Sequence, residues 1–306
     1  YDGIPVSASH YFLRELLRGE YGFDGYVVSD SEAVEFIASK HRVAADFKEA
    51  IEQSVTAGLN VWTNFRDPDT YILNLRESVI EGKVSMATLD QNVREVLKVK
   101  FRLGLFDQPY VENPKLADKM VNTADAKEFA VQINRESLVL LKNEDNTLPL
   151  DKSKKSRVLI TGPMAAETKY TISRYGPSNH QVTSILEGLK AYQSDLLQFD
   201  YAKGCDIINE GWPNTELLPA PLTEAEEAQM AEAVEKAKQS DVIIAVVGED
   251  EQTVGESLSR TSLDLPGHQE KLLQSLHATG KPVIVVLVNG RPLTINWANA
   301  HVPAIL

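Results

Sequence analysis

Thr223-Glu-Ala-Glu-Glu-Ala-Gln-Met-Ala-Glu-Ala-Val-Glu-Lys-Ala-Lys-Gln-Ser-Asp-Val-Ile-Ile-Ala-Val-Val-Gly248 falls into two pieces. Thr223 and Glu226 have capping-box spacing, so Thr223–Ser240 is predicted to be a helix. Val242–Val247 is apolar throughout and strand-sized. The acidic residues of Glu224–Glu235 read as the solvated face of that helix. The same order recurs on either side. A helix from about Thr123 to Leu141 precedes a strand at Val158–Thr161, and Gly267–Ala278 precedes a strand at Val283–Val288. Wholly apolar strands alternating with helices signal a parallel sheet covered on both faces. Residues 123–306 are therefore expected to form an α/β sandwich.

Upstream, 108–122 carries Pro109 and Pro114 without a clear period and reads as a linker. Residues 1–107 again alternate. Ser7–Arg18 places Phe12, Leu13, Leu16 and Leu17 on one helical stripe, with Ser7 or Ser9 as cap, and Gly19 to Gly25 breaks it. Tyr26–Ser29 is a short strand ending in Asp30, Ala44–Ala57 a helix, and Leu59–Trp62 a second strand. A further helix is predicted to start at Thr88, capped with Gln91, to turn Leu89, Val93, Val96, Leu97 and Phe101 inward, and to stop at Gly104.

At 306 residues, 43% hydrophobic and 25% charged, the composition is that of a globular chain of about two domains. Thirty-one basic against 44 acidic residues give a net charge of −13, which argues against nucleic acid or an anionic membrane surface as partner. No apolar run approaches the roughly 18 residues of a membrane span. The single cysteine, Cys205, cannot form an internal disulfide. The histidines at 10, 41, 180, 268, 277 and 301 lack metal-ligand spacing, so no metal and no cofactor are expected. Phosphate-loop, dinucleotide, zinc-protease and nucleophile-elbow motifs are all missing.

Two stretches could carry chemistry. Asp30 ends an apolar strand, where parallel α/β folds hold catalytic groups, although Asp30 or Ser31 could instead cap the following helix. Gly248–Arg260 follows Val242–Val247 and places Glu249, Asp250, Glu251 and Glu256 within eight residues. The alternative there is a solvated acidic loop. Carboxylates offered from two domains suit glycoside hydrolysis, with one attacking the anomeric carbon or activating water and one protonating the leaving oxygen.

Gly22-Phe-Asp-Gly-Tyr-Val-Val-Ser-Asp30 resembles the nucleophile signature of glycoside hydrolase family 3, and Tyr1-Asp-Gly-Ile-Pro-Val-Ser-Ala-Ser9 resembles the segment before it. The resemblance continues through Lys100–Asp107, Glu136–Asn143 with Leu148-Pro-Leu150, Gly255-Glu-Ser-Leu-Ser-Arg260 followed by Leu263-Asp-Leu-Pro266, and Val288-Asn-Gly-Arg-Pro-Leu293. It implies an α/β fold: the C-terminal part of a TIM-like (β/α) barrel carrying the nucleophile over 1–107, then the mainly parallel sandwich carrying the acid/base loop. It also implies a retaining, exo-acting β-glycosidase that cuts non-reducing-end β-D-glucosides or β-D-xylosides in a cleft between those domains.

By the same resemblance Asp30 is the nucleophile and Glu256 the acid/base, with Glu249 as the alternative acid/base and Arg260 as a substrate-binding residue. The partner is a β-linked oligosaccharide or glycoside. Export to the periplasm or secretion is expected, with the signal region outside this chain. One departure is Ser31, where many members carry tryptophan or histidine. Only about two strand-helix units precede the linker, whereas a closed eight-stranded barrel needs roughly 200 residues. The family residues that grip the sugar hydroxyls are thus expected to lie outside this chain, and the open strand edges, with Val27, Leu59 and Val61, invite self-association. Rival readings are a carbohydrate-binding relative without turnover, an inactive fragment, an α/β ligand-binding module in which Asp30 is only a cap, and a member releasing N-acetylglucosamine.

Overall fold

In the computed structural model, which describes residues 3–171, 175–176 and 182–306, the chain divides into two compact units, 1–123 and 124–306. Tyr1 and Asp2 of the opening motif, and His180, lie outside the described residues.

The first unit has a 3-10 turn, Val6–Ala8, before a π-wound helix, Tyr11–Glu20. It continues with β1 (Val28–Ser31), α1 (Ala33–Ser39), α2 (Phe47–Ala57), β2 (Val61–Thr63), α3 (Asp69–Ile80) and α4 (Met86–Arg102), and a short α5 (Leu116–Met120) lies near its end. Strands β1 and β2 pair in parallel, with Val28 opposite Val61 and Ser31 opposite Thr63. Helix α2 starts at Asp46, whose carboxylate accepts the Glu49 N–H, and ends at Gly58 in the left-handed region. Its inner face packs Ala50, Ile51 and Val55 against Val34, Ile37, Leu13 and Leu59.

Helix α4 departs from expectation. Its cap is Ser85, which accepts the Thr88 N–H at 3.0 Å, so Thr88 is the third helical residue and not the start. Its buried face is polar. Asn92 and Glu95 point inward, while Val93, Leu97 and Phe101 are exposed. The reason is a pair of arginines on the opening helix: Arg14 donates to Glu95 and Asn92, both at 2.5 Å, and Arg18 lies 2.9 Å from Glu95. Burial opposes the charge on Glu95, but donors from Asn60, Gln91 and Arg14 outweigh it and hold the carboxyl below its ordinary range. Leu59, expected at an open edge, is buried in the core.

The second unit runs α6 (Ala124–Ser137), β3 (Lys142–Asn143), β4 (Ser156–Thr161), α7 (Ile185–Lys190), β5 (Leu197–Ala202), α8 (Glu224–Lys238), β6 (Val242–Gly248), α9 (Gln269–His277), β7 (Val283–Val288), α10 (Asn296–His301) and β8 (Ala304–Ile305). These strands form one sheet in the order β3-β8-β7-β6-β4-β5, parallel except for β3. Successive side chains of a strand face opposite ways. Ile243, Ala245 and Val247 accordingly join Leu159, Val283 and Val285 beneath α8 and α9, whereas Val242, Ile244 and Val246 join Val158, Ile160 and Ile284 on the α7 face. Strand β6 is buried along its whole length, which places its C-terminal end at the middle of the sheet. Helix α8 has the capping box read from Thr223 and Glu226; Glu226 is buried by it, an exception to the solvated acidic face. No described helix is long and apolar enough to cross a membrane.

Candidate active site

Asp30 is the third of the four residues of β1 and is exposed. Its Oδ1 accepts the N–H of Ser31 at 2.8 Å. It does not cap α1: the cap position is Glu32, with no side-chain cap bond. Glu32 has φ 60°, the left-handed region that side chains other than glycine enter at a cost, and it turns the chain sharply from strand to helix directly after Asp30 and Ser31. Bonds on both sides brace the turn: the Glu32 N–H donates to the Thr63 carbonyl at 3.2 Å, and Ser29 Oγ accepts the Thr63 N–H at 2.9 Å. Nearby, Trp62 stacks on Tyr71 at 4.8 Å between centroids and donates from Nε1 to Glu35 at 3.0 Å. An exposed carboxylate at the end of a braced strand is suited to meeting a ligand from the solvent side.

In the other unit, β6 ends at Gly248, and the acidic loop departs from there. A Cβ at Gly248 would lie 1.8 Å from the Val288 carbonyl, so only glycine allows this crossing. The fully buried side chain of Gln269 holds the point by accepting the Gly248 N–H and donating to the Gly248 carbonyl, both at 2.8 Å. Glu256 is exposed further along the loop, between Gly255 at φ 141° and Ser257 at φ 65°. The Tyr175 hydroxyl donates to Glu256 Oε2. Tyr170, Tyr175, Glu249, Asp250, Glu251, Val254, Glu256 and Asn289 are among the residues lining a cavity of about 370 Å³. Aromatic faces beside a carboxylate are the ordinary furniture of a sugar site, since sugar C–H groups pack on rings.

Glu249 and Arg260 are placed differently. The Glu249 side chain is fully buried, 2.8 Å from Arg260 Nη1 and 3.4 Å from Arg291 Nε. Arg260 is buried too: Nε donates to Glu216 and Nη2 to the Asp264 carbonyl, each at 2.8 Å, and its guanidinium lies over Trp212. Glu249 thus braces the loop while also bordering the cavity, and Arg260 spends its donors on protein partners. Part of the acidic run therefore has a structural purpose, since Glu249 and Asp250 are both buried. Among the described residues no group of three or more His, Cys, Asp or Glu could hold a metal ion.

Residues 138–306 match the glycosyl hydrolase family 3 C-terminal domain, and residues 1–99 match the family's N-terminal domain. The chain belongs to glycosyl hydrolase family 3. It is a glycosyl hydrolase 3 chain throughout its length: all of it aligns at 35% identity with a β-xylosidase of Formosa agariphila and at 36% identity with a periplasmic β-glucosidase of Salmonella typhimurium. It spans 42% and 40% of the lengths of those two relatives. Among solved structures, a β-glucosidase of Erythrobacter marinus superposes on 99% of the chain with a TM-score of 0.85 at 32% identity, and the chain covers 42% of it.

For this family 3 chain, sequence reasoning located the strand of Asp30 and the loop of Glu256 but missed their supports. Glu216, Gln269, Arg291 and the two tyrosines gave no signal as isolated residues. Arg291 alone stood inside a motif that the resemblance had already picked out, Val288–Leu293.

Proposed function

We propose that residues 1–107 and 123–306 supply, respectively, the nucleophile and the acid/base of a retaining, exo-acting β-glycosidase acting on non-reducing-end β-D-glucosides or β-D-xylosides. The observation that carries this reading is the contrast within the acidic loop: of two glutamates bordering the same cavity, Glu256 is exposed and meets a tyrosine hydroxyl, while Glu249 is buried against two arginines. The exposed Asp30, which caps no helix, supports the other half.

The chemistry has two displacements. Asp30 attacks the anomeric carbon as Glu256 gives its proton to the departing glycosidic oxygen, forming a glycosyl ester on Asp30. Glu256, now a carboxylate, takes a proton from the water that attacks the ester, which regenerates both groups and leaves the sugar in its original anomeric configuration. A retaining mechanism calls for the two carboxyl groups to flank the anomeric carbon about 5 Å apart. Arg260 acts in this reading by anchoring the loop. The names of the two relatives support glucosides and xylosides as substrates, and the periplasmic naming of the Salmonella relative supports an exported enzyme.

The test is to treat the complete enzyme with a 2-deoxy-2-fluoro β-glucoside and β-xyloside and map the labelled peptide. A label on Asp30 is expected. A label on another carboxylate, or a product of inverted configuration seen by NMR, removes the assignment.

A further inference from the structure

Little regular structure holds the loop that carries Glu256. Between Gly248 and Arg260 its own backbone bonds are confined to two turns, with Thr253 and Val254 N–H on the Asp250 carbonyl and the Leu258 N–H on the Gly255 carbonyl. Its ends are held from outside by Gln269 at Gly248, by the Val288 carbonyl on the Glu249 N–H and by Glu216 on Arg260, and its middle is held by Arg291. Arg291 Nη2 donates to the Thr253 carbonyl at 2.5 Å and to the Leu258 carbonyl at 3.4 Å, and its Nε lies 3.4 Å from Glu249 Oε2. The three attachments grip the loop at its root, three residues before Glu256 and two residues after it. The arginine is itself fixed, for Asn289 Nδ2 donates to the Arg291 carbonyl at 2.7 Å, just past the end of β7. A guanidinium presents five N–H groups in a rigid planar fork, so one side chain can hold two carbonyls and a carboxylate together, whereas a lysine ammonium on its flexible stem holds them with less geometric precision.

We infer that Arg291 is a positioning residue for the reaction: by clamping Thr253, Leu258 and Glu249 it fixes the backbone on either side of Glu256 and so aims the acid/base carboxyl at the glycosidic oxygen. The inference rests on the reading of Glu256 as acid/base. A displacement of about 1 Å in a reacting group can cost roughly 10²-fold in rate, so a loop released at both of its inner attachments loses proton transfer before it loses substrate binding. Glu249 adds to the clamp as a buried countercharge shared with Arg260, which keeps Arg291 folded onto the loop.

The experiment compares Arg291→Met and Arg291→Lys with Glu256→Ala in the complete enzyme, on an unactivated β-linked disaccharide and on the matching 2,4-dinitrophenyl glycoside. For Arg291→Met, kcat on the disaccharide should fall about 100-fold. On the dinitrophenyl glycoside, whose leaving group needs little protonation, kcat/KM should fall less than about tenfold, while kcat and KM fall together because Glu256 also serves the second displacement. Arg291→Lys should lie between wild type and Arg291→Met. In the 306-residue chain, hydrogen exchange of amides 253–258 should quicken in both variants while β6 and β7 stay protected. Equal losses on the two substrates, or unchanged exchange in the loop, would overturn the inference. If Arg291→Met does not fold, the same comparisons on Arg291→Lys decide. Should Glu256→Ala lack the leaving-group difference, the acid/base reading fails and the inference with it; if Glu256→Ala shows the difference and the Arg291 variants do not, only the inference fails.

Discussion

Glu216 Oε1 accepts a hydrogen bond from Arg260 Nε at 2.8 Å, and its Oε2 takes both the N–H and the hydroxyl of Thr261, at 2.9 and 2.7 Å. The carboxylate therefore ties the far end of the Glu256 loop to the segment around Asn214–Glu216. Burial pushes its pKa up, but the donors of Thr261, Arg260 and Ser262 outweigh that and hold it at about 2.

A carboxyl that is a stronger acid folded than unfolded stabilises the fold only while it is ionised. That contribution is complete above the ordinary glutamate value of about 4.3 and is lost as the pH falls from there toward about 2. Urea unfolding of the 306-residue chain followed by circular dichroism should show stability falling across that window. Glu216→Gln, which leaves Arg260 with an uncompensated partner position, should cost about 3 kcal/mol at neutral pH and flatten the acid-side slope. An unchanged slope assigns the acid sensitivity to other carboxylates.

The two proposed catalytic carboxylates should fail in different ways. Asp30→Asn in the complete enzyme should lower turnover about 10³-fold or more on every substrate, since both displacements pass through that oxygen. Glu256→Ala should spare an activated aryl glycoside relative to a disaccharide, and azide should restore its second step and yield a glycosyl azide. Equal losses with no azide product count against the assignment of Glu256.

Ile243 is fully buried at the centre of the sheet, so Ile243→Ala should destabilise the second unit by about 3 kcal/mol through lost burial and the cavity left behind. Leu97→Ser should cost less than about 0.5 kcal/mol, because that side chain is exposed on α4. Thermal unfolding of both variants separates the cases, and a large loss for Leu97→Ser would show that the exposed face of α4 is covered in solution.

Cys205 is 1% exposed, and burial first of all, with Asp206 adding to it, pushes its thiol up to about 12. Because the thiolate is the reacting species, iodoacetamide at pH 8 should leave the native chain unmodified and alkylate it fully in denaturant. Rapid native alkylation, read by intact mass, would show that the region around Cys205 opens readily.

The first unit contributes a parallel sheet of two strands, β1 and β2. A glycosidase barrel gathers its substrate contacts from the ends of many strands. The 306-residue chain is accordingly expected to show no measurable turnover of aryl β-glucoside or β-xyloside and, with Val28 half exposed on β1, to self-associate at high concentration. Assays beside the complete enzyme, with sedimentation of the chain, check both, and comparable turnover would show that the chain alone assembles a working site.

Local chemistry was legible wherever neighbours along the chain decide the outcome. The Thr223–Glu226 capping box, the helix ending at Ala57, and Val242–Val247 and Val283–Val288 as sheet strands follow from spacing and apolar runs, because backbone capping and burial leave few other solutions. The face of α4 was misread for the complementary reason. Its period is satisfied by Val93, Leu97 and Phe101, yet Arg14 and Arg18, some eighty residues earlier, draw Asn92 and Glu95 inward instead.

The sequence by itself determined the family and three adjacent strands of the sheet, Val158–Thr161, Val242–Val247 and Val283–Val288, and singled out Asp30 and Glu256 as candidate carboxylates. Only the tertiary structure showed which carboxylate beside the cavity is exposed, Glu256, and which is buried against arginines, Glu249. Glu249 and Glu256 are indistinguishable as letters, but Arg260 and Arg291 converge on Glu249 from positions 11 and 42 residues away. Ion pairing of that kind depends on where the chain returns in space. A buried charge must find its countercharge there or not be buried at all, and no spacing rule along the sequence can state it.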